Sequence, residues 1–303
     1  MAPGVPPPEA LEAIRQAGGE VASIEEAEAL LWLDWRDTEA LRSTLALGSG
    51  IRWVQLPWAG VEHYVAAGVL DPAVNWTCAK GIYGAEVAEH ALALSLALFR
   101  SLKARSRATR WEPSVGSDGR SLYGARVTIL GAGGIGRALI EQLQPFSVEA
   151  TVVRRDPQPL AGAARTVGPD RLLDALGGAD LVVIGVALTD QTRGIIGRRE
   201  LEAMGSGSYL VNVARGAHVV TDALVDALLA GTIRAAGLDV TDPEPLPDDH
   251  PLWGMDNCLI TPHVANPVVG ESNRLLLTLF RDNVARFAAG ADLVGRVDPE
   301  LGY

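Results

Sequence analysis

The chain has 303 residues, a length typical of one large or two medium-sized domains, and its 48% hydrophobic and 21% charged residues are those of a globular protein with a sizeable core. The net charge of −11 argues against nucleic acid or an anionic membrane surface as a partner. Its two cysteines lack disulfide or metal-ligand spacing, which favours a reducing compartment and no metal site.

The N-terminal third alternates helical patterns with short apolar runs. Residues 1–8 are proline-rich and lack the basic and apolar regions of a signal peptide, so we expect a cytoplasmic protein. Helices are predicted over 8–17 and 37–47, and buried strands over 29–33 and 51–56. This alternation is typical of a parallel sheet with crossover helices.

A strand end, a glycine turn and a helix start follow one another in residues 56–64. Ligands of open α/β sheets bind at this kind of edge, and the backbone N–H groups of Ala59, Gly60 and Val61 could hold a carboxylate there. The alternative is a plain connection between a strand and a helix.

A long helix is predicted over 86–105, and its apolar part is too charged and too short to span a bilayer. A polar, irregular arm over 105–123 follows, and it contains Trp111.

The strongest pattern is a buried strand over 127–130 followed by Gly131, Gly133 and Gly136 in a G-x-G-x-x-G turn and then a helix. The first glycine permits the tight bend, the second lets the backbone approach a pyrophosphate, and the third lets helix and strand pack closely. The helix N-terminus, with Gly134 and Ile135, offers free N–H groups to phosphates. This stretch predicts a dinucleotide site.

The alternation continues to the C-terminus. Strands are predicted over 151–153, 181–186, 209–213, 235–240 and 258–261, and helices over 170–176, 222–230 and 271–290.

Several of these strand ends carry motifs in a recognisable order, namely residues 188–192, 212–216, 238–240, 244–247 and 261–263. With the glycine turn, they make the chain resemble the D-isomer-specific 2-hydroxyacid dehydrogenase family over about residues 29–287. Within that family, the loop 55–60 is most similar to the glyoxylate/hydroxypyruvate reductases.

The resemblance implies two Rossmann-like or flavodoxin-like parallel-sheet domains with a cleft between them. Residues 1–95 plus 270–303 would form the substrate domain, and 96–269 the dinucleotide-binding domain. A homodimer joined through the cofactor domains is also implied, here through the helix 86–105 and the arm around Trp111.

The resemblance also implies a catalytic set of Arg215, Glu244 and His263. A guanidinium fork suits a substrate carboxylate, and an imidazole with an ordinary pKa of ~6.5 exchanges protons near neutrality. A carboxylate on the far ring nitrogen orients the imidazole and raises its pKa. The alternatives are a surface arginine, a solvated glutamate and a buried structural histidine. Structural roles are expected for the other histidines, His63, His90, His218 and His250.

Cofactor contacts are implied at the glycine turn and at Leu188, Thr192, Ala214, Asp239 and His263. After the second strand of the motif stand Arg154 and Arg155, where NAD-preferring sites carry an acidic residue. Two guanidinium groups attract a 2′-phosphate, so we predict a preference for NADPH, with NADH as the second choice. The alternative is that Asp156 accepts the ribose hydroxyls.

Substrate contacts are expected from Trp58, Ala59, Gly60, Arg215 and His263. Trp58 and Tyr83 would wall a small pocket, or else belong to the core. The function predicted is hydride transfer from NAD(P)H to a small 2-keto acid, glyoxylate or hydroxypyruvate first. A dehydrogenase of longer 2-hydroxy acids and a dinucleotide-sensing regulator without turnover remain as alternatives.

Overall fold

The computed structural model describes residues 7–34, 37–114, 119–266 and 271–303, and its contacts divide the chain into two units. The first unit is built from both ends of the chain, Met1–Tyr83 and Val268–Tyr303, and the second is the continuous segment Gly84–Pro267. Each unit contains its own parallel sheet, which confirms the predicted α/β class.

The first unit has a three-stranded parallel sheet in the order β1-β2-β3. Its strands are Ala29–Leu31 (β1), Trp53–Gln55 (β2) and Asn75–Thr77 (β3). Its helices are Pro8–Gln16 (α1), Thr38–Leu47 (α2), Glu62–Ala66 (α3) and, last in the chain, Glu271–Ala288 (α11).

The central strand β2 of this sheet is completely buried, so the amide of Gln55 needs partners inside the unit. The hydroxyl of Thr77 and the amide of Asn283 on α11 both donate to Gln55 Oε1 at 2.9 Å. Asn283 Oδ1 in turn accepts from the backbone N–H of Val294 at 2.8 Å. The C-terminal helix therefore completes the interior of the N-terminal sheet.

The second unit has a seven-stranded sheet. Its strands are Arg126–Leu130 (β4), Glu149–Val153 (β5), Arg165–Val167 (β6), Leu181–Ile184 (β7), Tyr209–Asn212 (β8), Ala235–Leu238 (β9) and Cys258–Ile260 (β10). Its helices are Gly84–Phe99 (α4), Leu102–Ser106 (α5), Gly134–Leu143 (α6), Leu172–Leu176 (α7), Arg198–Met204 (α8), Thr221–Ala230 (α9) and Pro251–Gly254 (α10).

All strands of this sheet run parallel in the order β10-β9-β8-β7-β4-β5-β6. The chain starts in the middle with β4, moves outward through β5 and β6, and then returns to the other side at β7. The direction of winding therefore reverses between β4 and β7. Ligands of such sheets bind beside this reversal, outside the carboxyl ends of the strands.

The prediction of one helix over 86–105 is wrong, because the helix ends with α4 and a second helix follows it. Ser101 has a left-handed φ of 48°, and α5 starts a new direction at Leu102. Lys103 on α5 donates from Nζ to the carbonyls of Met255 and Cys258, both at 2.6 Å. The lysine thereby ties α5 to the start of β10.

Helix α4 also places the boundary between the units at 83/84 rather than at the predicted 95/96. The helix packs against α6, β8 and β9 of the second sheet. Its start is very close to that of α6, since a Cβ on Gly84 would lie 2.7 Å from the carbonyl carbon of Gly134. Residues 84–95 therefore belong with the second sheet.

The remaining differences from the predicted elements are short pieces. Strands β3 and β6 and helices α8 and α10 were not predicted, and each has seven residues or fewer. Residues 1–6, and 115–118 of the predicted arm, lie outside the described ranges. None of the helices in those ranges is long and apolar enough to cross a membrane.

Candidate active site

The glycine turn lies at the carboxyl end of β4, at the reversal of the sheet. Gly131 has a left-handed φ of 101°, and a Cβ there would lie 2.7 Å from the carbonyl oxygen of Gly185. A Cβ on Gly136 would overlap the carbonyl oxygen of Gly131. A Cβ on Gly133, by contrast, would meet nothing within 4 Å, and α6 begins at Gly134. The turn thus leaves open backbone beside a helix N-terminus, which fits a pyrophosphate.

The predicted cofactor-selecting residues follow β5, the strand beside β4. Arg154 is half-buried and its N–H donates to Val167 O at 3.0 Å, whereas Arg155 and Asp156 are exposed. The guanidinium-bearing residues therefore stand at the carboxyl end of β5, the same edge as the glycine turn. Their contact with a 2′-phosphate stays a prediction.

The turn after β7 is held by a threonine hydroxyl. Thr192 Oγ1 accepts from the N–H of Thr189 at 2.8 Å and donates to the carbonyl of Ala187 at 2.7 Å. Leu188 lies within this closed turn. Leu188 and Thr192 thus lie beyond the carboxyl end of β7, the strand next to β4.

Asn212, the last residue of β8, shapes the segment that carries Arg215. Its amide donates to the carbonyl of Arg215 at 2.8 Å and accepts from the N–H of Ala214 at 3.1 Å. The imidazole of His218 accepts from the N–H of Arg215 at 3.2 Å. His218 is completely buried, so its imidazole does not face solvent.

His263 and Glu244 form a direct pair, with 2.6 Å between Nδ1 and Oε1. Both side chains are about half exposed, at 47% and 42%. The hydrogen bond that His263 donates to Glu244 raises the pKa of His263, and burial and the charge of Arg215 oppose that rise. The same hydrogen bond lowers the pKa of Glu244, and the charge of Arg215 lowers it further. The imidazole is thus biased towards its protonated form.

The three residues of the predicted catalytic set come from neighbouring strands. Arg215 follows β8, Glu244 follows β9 and His263 follows β10, each at the carboxyl end. They share this edge with the glycine turn, and the charge of Arg215 acts on both partners of the pair. Arg215, Glu244 and His263 are therefore brought together in one unit, although their roles stay predictions.

Asp239, which was expected to contact the cofactor, is 1% exposed. Its carboxylate accepts the hydroxyl of Thr261 at 2.6 Å and the N–H groups of Val264 and Ala265 at 3.0 Å. Asp239 thus anchors the turn that carries His263, and a cofactor contact from it stays a prediction. Sequence reasoning missed this anchor because the pattern around Asp239 does not reveal which groups its carboxylate meets.

Trp58, Ala59 and Gly60 lie in the first unit, after β2. The carbonyl of Trp58 accepts from the N–H of Ala79 at 3.2 Å, and its ring lies 5.2 Å from that of Tyr83. The hydroxyl of Tyr83 donates to the carbonyl of Pro57 at 3.0 Å. The two rings thus brace this loop, and its contact with substrate stays a prediction.

Comparison with known proteins identifies the family. The model described as "D-isomer specific 2-hydroxyacid dehydrogenase, NAD binding domain" matches residues 91–265, more than half of the chain. The chain belongs to the D-isomer specific 2-hydroxyacid dehydrogenase family. The matched segment lies within the second unit, so this dehydrogenase carries its NAD-type cofactor site there.

Relatives of this dehydrogenase cover most of the chain. It is 42% identical over 263 residues, 85% of either chain, to an uncharacterized protein of Corynebacterium melassecola. It is 31% identical over 221 residues to glyoxylate/hydroxypyruvate reductase A of Serratia proteamaculans, covering 72% of this chain and 69% of the reductase. A D-isomer specific 2-hydroxyacid dehydrogenase of Xanthobacter autotrophicus Py2, solved in complex with NADPH and MES, superposes with a TM-score of 0.85 and 29% identity, covering 100% of this chain and 98% of the other.

Proposed function

We propose that this dehydrogenase reduces small 2-keto acids with NADPH, and that glyoxylate and hydroxypyruvate are its first candidate substrates. The observation that carries the proposal is the 2.6 Å contact between His263 and Glu244, at the sheet edge that also holds Arg215 and the glycine turn. The Serratia relative bears the name of a reductase of these two acids, and the Xanthobacter structure contains NADPH.

Reduction of a 2-keto acid adds a hydride to the carbonyl carbon and a proton to its oxygen. The reduced nicotinamide supplies the hydride when it is bound. His263 donates the proton from Nε2, because Glu244 occupies Nδ1 and keeps the ring in one orientation. Arg215 holds the substrate carboxylate through its planar guanidinium fork.

The raised pKa of His263 suits the direction of reduction, because it keeps the proton on the imidazole at neutral pH. Oxidation of the 2-hydroxy acid needs the neutral imidazole and would gain as the pH rises. We therefore propose that reduction is favoured near neutrality.

The preference for NADPH rests on Arg154 and Arg155 at the end of β5. A 2′-phosphate would gain charge-assisted hydrogen bonds there, and the exposed Asp156 is the rival residue for the ribose of NADH.

The substrate side is proposed to lie in the first unit, at Trp58, Ala59 and Gly60. The rings of Trp58 and Tyr83 support the loop, and aromatic walls favour a small acid over a long one. Lengthening the 2-keto acid should therefore lower kcat/KM.

A homodimer through the second unit is also proposed. Trp111 in the arm is 95% exposed, and Tyr123 at its end and Leu102 on α5 are also exposed. A large exposed indole favours a protein partner, here a second copy of the chain. Sedimentation equilibrium should give twice the monomer mass, and a monomer at micromolar concentration would contradict it. The cytoplasmic location stays a prediction.

The test of function is turnover of NADPH and NADH with glyoxylate, hydroxypyruvate and longer 2-keto acids. We expect the highest kcat/KM with NADPH and a two- or three-carbon acid, and a loss of about 10²–10⁴-fold for His263→Ala. His250→Ala is the control, because that imidazole accepts from the N–H of Leu252 and caps α10. NADPH binding without turnover of any acid would instead favour the sensing regulator.

A further inference from the structure

The turn that carries His263 has a backbone conformation that must be held. His263 has a left-handed φ of 54°, which is uncommon for residues other than glycine. Its N–H donates to the carbonyl of Asp239 at 2.7 Å, and the next two N–H groups, of Val264 and Ala265, donate to the carboxylate of Asp239. The position of the imidazole therefore depends on how firmly Asp239 is fixed.

A second histidine lies on the other side of this anchor. His90 on α4 places Nε2 2.9 Å from the hydroxyl oxygen of Thr261 and 3.3 Å from Oδ1 of Asp239. Thr261 follows β10, two residues before His263. The imidazole of His90 thus connects helix α4 to the turn that carries His263, called the catalytic turn below.

The direction of these hydrogen bonds follows from counting protons. A threonine hydroxyl has one hydrogen, and Thr261 gives it to Oδ1 of Asp239 over 2.6 Å. The contact between His90 and Thr261 then requires Nε2 of His90 to carry the hydrogen. The series of hydrogen bonds therefore runs from the His90 N–H to the Thr261 hydroxyl and from there to the Asp239 carboxylate.

We propose that His90 is a positioning residue for the proton donor: through Thr261 and Asp239 it holds the turn that points His263 at Glu244. This role rests on the proposed function of His263. It also explains why a polar ring lies on α4 between Ala88 and Ala91, which are completely buried.

The charged groups that act on His263 are Glu244, Arg215 and Asp239. Two of them, Glu244 and Asp239, have positions relative to His263 that depend on the turn. A looser turn would make the contact with Glu244 less often, so His263 would titrate at a lower pH. The titration of His263 therefore reports on the proposed role without any substrate.

The first experiment measures the imidazoles by NMR in the free protein. Wild-type protein with ¹⁵N-labelled histidine should show His90 as the Nε2–H tautomer. In His90→Leu the titration midpoint of His263 should fall by about 0.5 pH unit. In His90→Gln, whose amide can donate from nearly the same place, the midpoint should return to that of wild type. This measurement holds even if no tested acid is turned over, so it fails separately from the proposed function.

The second experiment measures turnover with NADPH and the best keto acid. His90→Leu should lower kcat about tenfold with little change in KM, as expected for one lost hydrogen bond in a network. Thr261→Val should cost a similar factor, and the double variant should cost no more than either, because both act through the same chain. Ser95→Ala is the matched control, since this buried α4 hydroxyl donates to the carbonyl of Ala91 on its own helix.

A purely structural His90 predicts a different pattern. His90→Leu would then lower the melting temperature while the His263 midpoint and kcat stay unchanged, and His90→Gln would not differ from His90→Leu. Additive effects of His90→Leu and Thr261→Val, or the Nδ1–H tautomer of His90, would also overturn the proposal.

Discussion

The protonation of one imidazole controls the chemistry proposed for this dehydrogenase. Glu244 raises the pKa of His263, so wild-type reduction should hold its rate above pH ~6.5 and decline only as the pH passes the raised value. In Glu244→Gln the decline should move to lower pH, and kcat should fall about tenfold or more. The measurement is kcat/KM from about pH 5.5 to 9.5. Asp248→Asn, an exposed neighbour in the same loop, is the control, and an unmoved profile in Glu244→Gln would contradict the assignment.

The His263–Glu244 pair also makes the stability of the folded protein depend on pH. The contribution from His263 is fully present below ~6.5 and is lost as the pH rises through its raised pKa. The contribution from Glu244 is present above ~4.3 and is lost as the pH falls through its lowered pKa. Because both side chains are about half exposed, solvent screening keeps these contributions small.

Cofactor choice is a second prediction at this scale. Replacing both Arg154 and Arg155 with glutamine removes the cations that would meet a 2′-phosphate. The KM for NADPH should rise about tenfold or more, while the KM for NADH stays nearly constant. Arg165→Gln is the control for the loss of a nearby charge, because it removes one guanidinium at the start of β6, which pairs with Thr151 in the middle of β5 and not with its carboxyl end. Equal losses for both cofactors would contradict the prediction, because the two arginines would then contact a part that NADPH and NADH share.

At the residue scale, the resemblance to the family implied Arg215, Glu244 and His263 as the catalytic set, and each follows a strand of the sheet. Contacts made through burial could not be predicted in this way. His90 and His218 received the same structural reading, yet one bonds Thr261 beneath the catalytic turn and the other holds the N–H of Arg215. Sequence periodicity predicts on which face of a helix a histidine lies. It does not predict the hydrogen-bond partner of that histidine, which depends on the segment packed against that face.

The glycine turn after β4 offers a test at the scale of elements, because its glycines face different surroundings. Gly133→Ala adds a methyl group in open space, so the protein should keep its melting temperature but bind NADPH about tenfold or more weakly. Gly136→Ala pushes α6 away from the carbonyl of Gly131 and should cost about 1–3 kcal/mol of stability. Calorimetry and NADPH fluorescence titration measure the two effects. A destabilised Gly133→Ala with unchanged binding would contradict the phosphate site.

Elements with strong patterns were predicted well, and interrupted ones were not. Helix α9 and strands β4 and β7 appear where apolar periodicity or an unbroken apolar run predicted them. No such signal marks the break between α4 and α5, and the carbonyls that hold Lys103 of α5, those of Met255 and Cys258, lie far along the chain. Strand β6 is three residues long and sits at the edge, too short for a period to show.

Over the whole molecule, alternating strands and helices were enough to predict two parallel sheets. The boundary between the two units could not be predicted in this way, because the apolar pattern of α4 is compatible with either unit. Its assignment to the second sheet follows from close packing, such as Gly237 beneath Leu94 and Leu98, which no local pattern encodes.

The first unit is built from two separate segments of the chain and the second from one, so fragments can test whether each unit folds alone. The second unit is one continuous segment that contains all seven strands of its sheet and the whole glycine turn. A fragment of residues 84–266 should therefore fold alone, melt cooperatively and bind NADPH, and Gly133→Ala in the fragment should weaken that binding as in the full chain. A fragment of residues 1–83 should stay unfolded, because Gln55 would lose Asn283 and the core around Val54 would lose Val297. Circular dichroism and thermal melts distinguish the two outcomes. A folded 1–83 fragment, or an unfolded 84–266 fragment, would show that the boundary between the two units does not separate a segment that folds alone from one that does not.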